Sequence, residues 1–177
     1  MSERWDKYFY DLCRVVGNHS RCFSRKIGSI LVKENTIIGS GYNGPARKIP
    51  HCNERFLIDE NLRSYLKSID INPDDPALHE TCPRYVAGFK SGEGLQFCIA
   101  GHSERNAIIN SVREGISTKG ATLYMSCGIP CKDCLTEIIN SGIVEIVVTK
   151  FSFYDSTSKY LLKNSDLKCR VYDHLKE

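Results

Sequence analysis

Four residues in two short runs have the types and spacing of a hydrolytic metal centre. His102 and Glu104 stand two apart in His102-Ser103-Glu104, and Cys131 and Cys134 stand three apart in Pro130-Cys131-Lys132-Asp133-Cys134. One imidazole and two thiolates supply three ligands to zinc, and a catalytic zinc site uses three protein ligands so that a fourth position is left for water. Zinc makes hydroxide available near neutral pH, which water alone does not. Glu104 need not bind the metal. Its carboxylate can take a proton from the water and pass it to a leaving amine. Either run alone is a weak signal, because Cys-x-x-Cys also serves redox and structural-zinc roles. The ordered pair, with its proline, is specific.

The surrounding sequence has to hold these groups. Trp5, Tyr8, Phe9, Leu12, Val15 and Val16 recur at helical spacing, so residues 4–17 read as an amphipathic helix with this stripe in the core. Residues 28–33 and 36–42 flank Glu34-Asn35 in a β-hairpin pattern. Gly41-Tyr42-Asn43-Gly44-Pro45 must then leave the strand. Residues 46–101 are poorly patterned. A helix is expected from Glu54 to Ile69, loops at Asn72–Pro76 and Ser91–Gly94, and the scattered cysteines and histidines suggest organisation by metal more than by a core. Beyond it, helices are expected over 103–114, from Pro130 to 141, and over 156–164, with strands at 121–126, 143–149 and 167–172. This alternation argues for an α/β layer structure with parallel strands. His102 and Glu104 would open one helix, and Cys131 and Cys134 would share a face in the first turn of another, where thiolates are favoured.

The chain has 177 residues, 41% of them hydrophobic, and reads as one domain over 1–177 with no internal repeat. No apolar run approaches the roughly 20 residues that span a bilayer. The first residues carry charges throughout and lack the apolar stretch of a signal peptide. With nine cysteines, an odd number, and no export signal, metal ligation is a better default than disulfides, and a cytoplasmic location is expected. The net charge of +3 is scattered, without the basic stripe that tracks a phosphate backbone, so a small substrate is expected, with neither nucleic acid nor membrane as partner.

The sequence Gly41-Tyr42-Asn43-Gly44, then His102-Ser103-Glu104 with Asn106-Ala107-Ile108, then Pro130-Cys131-Lys132-Asp133-Cys134, resembles the deoxycytidylate (dCMP) deaminase family, phage and bacterial members in particular. The metal motif is that of zinc-dependent base deaminases. The resemblance implies a cytidine deaminase-like three-layer αβα fold with a five-stranded mixed sheet. It implies hydrolysis of dCMP to dUMP and ammonia, feeding thymidylate synthesis, in the host cytoplasm if the protein is phage-encoded. Attack falls on C4 of the cytosine ring, and Glu104 carries the proton toward N3 and then to the departing 4-amino group. Asn43 would orient substrate; its alternative reading is a turn asparagine in the left-handed region. The backbone N–H of Ser103 would bind the base carbonyl. Its hydroxyl, a departure from the commoner His-Ala-Glu, could cap the helix. Arg25 and Lys26 are candidates for the phosphate, with solvated surface as the alternative, and Tyr154 matches a family tyrosine near substrate. Arg113 matches an arginine at a subunit interface. The family further implies a homo-oligomer, often a hexamer, activated by dCTP and inhibited by dTTP with Mg²⁺.

Cys22, Cys52, Cys82 and Cys98 fall where some relatives bind a second, structural zinc that would staple the 46–101 segment; His51 and His79 are alternative ligands. The remaining reading of these thiols is burial in a core. Cys13, Cys127 and Cys169 read as packing residues, and His19 and His174 as surface or capping residues. Two other functions stay open. The same metal chemistry serves a deaminase of cytidine, tRNA adenosine, or a pterin or flavin precursor, and a non-catalytic nucleotide-sensing module could keep the zinc without turnover.

Overall fold

The structure is a computed structural model that describes residues 3–90 and 92–173; His174 lies outside them. Among the described residues are seven α-helices and five strands: α1 (Glu3–Asn18), β1 (Gly28–Lys33), β2 (Thr36–Tyr42), α2 (Cys52–Ile58), α3 (Glu60–Ser68), α4 (Pro83–Val86), α5 (Ser103–Arg113), β3 (Thr122–Met125), α6 (Lys132–Asn140), β4 (Glu145–Val148), α7 (Ser156–Lys163) and β5 (Lys168–Val171). The chain forms two compact units, one of residues 1–20, 27–43 and 102–177, the other of residues 21–26 and 44–101.

The first unit carries a five-stranded sheet in the order β2-β1-β3-β4-β5. β1 pairs antiparallel with β2 and β3, whereas β3–β4 and β4–β5 are parallel, so the sheet is mixed as expected. The hairpin turns on Glu34 and Asn35, at φ 51° and 57°. Positive φ at both central residues gives a twist that matches the flanking strands. Side chains alternate across the sheet. Leu31, Leu123, Met125, Ile146 and Val148 point to one core with Ala107 of α5 and Leu135 and Ile138 of α6. Ile30, Val32, Tyr124 and Val147 point to the other, with Phe9 and Cys13 of α1. Helices therefore cover both faces, the expected three-layer αβα arrangement.

Three sequence expectations need correction, two of them in the second unit. α1 forms over the expected span, but Trp5, Tyr8 and Val15 are exposed, and the inward stripe is Asp6, Phe9, Cys13 and Gly17. Asp6 sets that rotation: it is 5% exposed and accepts hydrogen bonds from Tyr124 Oη (2.7 Å) and from Arg170 Nη1 and Nη2 (2.6 and 2.9 Å). The helix expected from Glu54 to Ile69 is two helices. Asp59, at φ −87° and ψ 98°, ends α2 and caps α3 by accepting from Leu62 N. Last, the second unit has an apolar core of its own, with Phe56, Leu62, Leu66 and Ala87 buried and Tyr65, Phe89 and Phe97 packed on them. Cys13 is fully buried and Cys169 packs on the first unit's core, as packing residues do. Exposed His19 meets the Tyr42 ring edge-on at 5.0 Å.

Candidate metal centre and active site

The helix that carries His102 and Glu104 lies tightly along edge strand β2. A Cβ on Gly41 would fall 2.3 Å from Ala107 N and 2.5 Å from Ser103 O, so only glycine permits this approach. α5 then covers the edge with hydrogen bonds: Asn106 Nδ2 donates to Tyr42 O and Asn110 Nδ2 to Ser40 O, each at 2.8 Å, and Ser111 Oγ to Ile38 O at 3.1 Å. Across the site, Asp155 ties down the start of α6 and caps α7, accepting from Lys132 N (3.1 Å) and Ser158 N (2.7 Å). Burial raises its pKa, but these backbone N–H groups outweigh it and hold the carboxyl below its ordinary value. Arg105 of α5 and Glu137 of α6 are bridged by two side-chain hydrogen bonds.

His102 and Cys131 occupy the N-cap positions of α5 and α6, yet neither side chain makes a capping hydrogen bond. The helix starts at Lys132 and not at Pro130, because Cys131 is in extended backbone, at φ −67° and ψ 165°. The ligating side chains turn toward each other: His102 Nδ1 lies 3.6 Å from Cys131 Sγ and 3.3 Å from Cys134 Sγ. A tetrahedral zinc with bonds of about 2.3 Å to sulfur and about 2.0 Å to nitrogen separates its N and S ligands by about 3.5 Å. The donor set thus has the spacing zinc requires. Among the described residues it is the group of His, Cys and carboxylate donors whose atoms all lie within 4.8 Å of one another. The Cys131 thiol is pulled down to about 4, by the hydrogen bond from Cys134 first and, against burial, by His102. Cys134 is pushed up as the partner that holds the shared proton, and by burial. The His102 imidazole is raised by its bond to Cys131, against burial.

Glu104 is 4% exposed beside this group, with Oε1 3.9 Å from His102 Nδ1. Ser103 does not cap α5. Its Oγ donates to Glu104 Oε2 at 2.9 Å and lies 2.7 Å from Ser29 Oγ, all three residues being buried. Ser29 was not legible as a site residue; the available signal was a hydroxyl at an inward position of an otherwise apolar strand. Asn43 is buried and absent from the left-handed region, so that turn reading fails. Its Oδ1 accepts from Ile27 N (2.8 Å), and Ser20 Oγ donates to its backbone O (2.6 Å). Tyr154 is 44% exposed, in the turn before α7. Arg113 is exposed at the end of α5, paired with Glu114 at 3.1 Å. Cys127 donates weakly to Gly128 O and packs on the core.

Arg25 and Lys26 are exposed and belong to the second unit. Cys22, Cys52, Cys82 and Cys98 line one cavity within that unit, together with His51, Arg21 and Arg84. Their sulfurs do not gather within 4.8 Å as the first donor set does. Burial, then the neighbouring thiols acting against Arg55, push Cys52 up to about 11. His79 is not part of the cavity lining; it stacks on Phe56 at 5.3 Å, with Nε2 3.3 Å from Pro73 O. No helix among the described residues is long and apolar enough to cross a membrane.

Comparison with known proteins adds a family to this geometry. Residues 3–150 match the model for the cytidine and deoxycytidylate deaminase zinc-binding region. A deoxycytidylate deaminase of Mycobacterium phage D29 is 30% identical over 153 residues, covering 84% of this chain and 96% of that protein. That of Saccharomyces cerevisiae is 28% identical over all 177 residues, but these are 47% of its length; the Schizosaccharomyces pombe relative is covered to 44%. The chain therefore spans about half the length of these yeast relatives. In fold it is similar to a dCMP deaminase from cyanophage S-TIM5, solved in complex with dCMP and dUMP, at TM-score 0.66 and 18% identity over 97% of this chain and 99% of that one. With the matched region spanning β1 to β4, α5 and α6, the chain belongs to the cytidine and deoxycytidylate deaminase zinc-binding family.

Proposed function

We propose that this protein is a zinc-dependent hydrolase that converts dCMP to dUMP and ammonia. The observation that carries the reading is a buried carboxylate, Glu104, set 3.9 Å from the imidazole of a donor trio with zinc spacing. Zinc there would supply the Lewis acidity that makes hydroxide available at neutral pH. Glu104 Oε1, on the side of the donors, takes one proton from water and delivers it to N3 as the oxygen bonds C4; it then takes the second from the C4 hydroxyl and delivers it to the 4-amino group, which leaves as ammonia as the C4 carbonyl forms. The Ser103 backbone N–H sits at the first position of α5, where it has no partner within the helix, and is directed to the base carbonyl. Asn43 orients the nucleoside; Ile27 N–H fixes which end of its amide faces away. Tyr154 completes the account as a contact to the nucleotide, and Arg25 and Lys26 stay the candidates that the sequence offers for its phosphate.

The substrate assignment rests on the curated deoxycytidylate deaminases to which the chain is similar and on Gly41–Gly44. The same residues would serve another base, so a panel tests it. Ammonia release from dCMP, with little from cytidine or a tRNA, is expected; turnover of another base alone would move the assignment, and zinc binding without turnover would favour a sensing module. Activation by dCTP with Mg²⁺, inhibition by dTTP and a homohexamer with Arg113 at its interface belong to this proposal, as does a cytoplasmic location. Allostery requires that the two triphosphates bind different states with different affinity.

A second, structural zinc on Cys22, Cys52, Cys82 and Cys98 is part of the same reading. Four thiols around one cavity in a unit of about sixty residues are what a staple would use. Cys52→Ala is expected to lower zinc stoichiometry by one and reduce thermal stability. Unchanged metal content in that variant removes the second site.

A further inference from the structure

The Glu104 carboxylate is not held by the donor set alone. Ser103 Oγ donates to Glu104 Oε2 at 2.9 Å, and Ser29 Oγ lies 2.7 Å from Ser103 Oγ. A hydroxyl has one proton to give. Ser103 gives its proton to a carboxylate that can only accept, so Ser29 must be the donor in the serine pair. The three groups form a one-way chain from Ser29 to Ser103 to Glu104. Ser29 is fully buried, Ser103 is 1% exposed and Glu104 4%, so within this structure the chain is shielded from bulk water. Hydrogen bonds in series polarise one another, and a bond ending on a charged acceptor is among the stronger kind.

The geometry divides the work between the two carboxylate oxygens. Oε2 is tied to β1 through the two hydroxyls, while Oε1 faces His102 Nδ1 at 3.9 Å. A glutamate side chain has three rotatable bonds, and one fixed oxygen removes most of that freedom. We propose that Ser103, backed by Ser29, is a positioning residue that aims Glu104 Oε1 at the reacting centre. This rests on the reading of Glu104 as the proton carrier. Ser29 and Ser103 lie 74 positions apart and come from different elements, β1 and the first turn of α5. The contact is therefore a product of the packing that Gly41 permits.

Two measurements test the proposal, one of them independent of turnover. Crystal structures of zinc-loaded Ser103→Ala and Ser103→Thr should find the Glu104 carboxylate rotated from the donor side in the first and restored in the second. An unmoved carboxylate in Ser103→Ala overturns the proposal whatever the substrate is. In kinetics with dCMP, Ser103→Ala should lower kcat roughly three- to tenfold with KM and zinc content unchanged, a loss in the range of one hydrogen bond to a charged group that water partly replaces. Ser103→Thr should recover most of it. Ser29→Ala, a milder change in case threonine packs badly, should lower kcat in the same direction by less. A change in KM alone, or wild-type kcat in Ser103→Ala, overturns the positioning role. Wild-type protein inactive on the whole substrate panel would fail the function assignment, and the crystallographic result would still decide the positioning of Glu104.

Discussion

Gly41→Ala alters no group that takes part in the chemistry and should still disable the site. The backbone there is in an ordinary strand conformation, so alanine brings no torsional penalty and the effect is steric. The new Cβ would lie 2.3 Å from Ala107 N, 2.5 Å from Ser103 O and 2.7 Å from Asn106 C, whereas ordinary contact begins near 3.4 Å. All three obstacles are backbone atoms of α5, which cannot rotate aside. The helix must move by about 1 Å, and it carries His102, Ser103 and Glu104 at its start. Overpacking of this kind costs about 1–3 kcal/mol. For a chain of this size each kcal/mol lowers Tm by about 2–4 °C. A displacement of about 1 Å at a catalytic group costs up to about a hundredfold in rate. Thermal melts and kcat on dCMP, with Ser40→Ala on the exposed side of the same strand as control, measure both effects. The control should stay within about 0.5 kcal/mol and keep its activity. A Gly41→Ala protein with wild-type Tm and kcat would refute the claim that the approach of β2 sets the position of α5.

Two further predictions concern stability. Asp6→Ala removes the carboxylate that accepts from the buried Tyr124 hydroxyl and takes one of two acidic partners from Arg170, which keeps Glu145 at 3.1 Å. Because the Arg170 side chain is 33% exposed, the loss should fall below that of a fully buried pair, at about 2–3 kcal/mol by urea unfolding; a loss under about 0.5 kcal/mol would mean the network is decorative. Asp155→Ala should cost about 1 kcal/mol, as loss of an N-cap does. The Asp155 pKa is lowered in the folded protein, so its contribution is fully present above the unfolded value of about 3.9 and fades as pH falls through the folded value. The gap between wild type and Asp155→Ala should be constant from neutral pH down to about 5 and close in stronger acid; a gap that widens in acid contradicts the assignment.

The metal trio was legible because ligand chemistry restricts both residue type and spacing, and the runs around His102 and Cys131 state both. The sheet was legible for a similar reason: Ile30-Leu31-Val32 and Ile146-Val147-Val148 are buried on both faces and read as apolar runs bounded by turns. Rotation of α1 was not, because Asp6 is polar and its inward turn depends on Arg170, 164 positions away. The break at Asp59 was missed since one residue ends one helix and caps the next, and helical periodicity continues across it. Ser29 illustrates the general limit. A hydroxyl acquires a role in the site only when another element brings it a partner, and no local spacing records that meeting.

The most direct test of the central claim is turnover of dCMP by zinc-loaded Glu104→Gln. His102, Cys131 and Cys134 remain in this variant, so zinc content should equal that of wild type, while kcat should fall by about 10²–10⁴ because the proton carrier is gone. Wild-type turnover with full zinc would contradict the assignment of Glu104 and, with it, the mechanism proposed for the site.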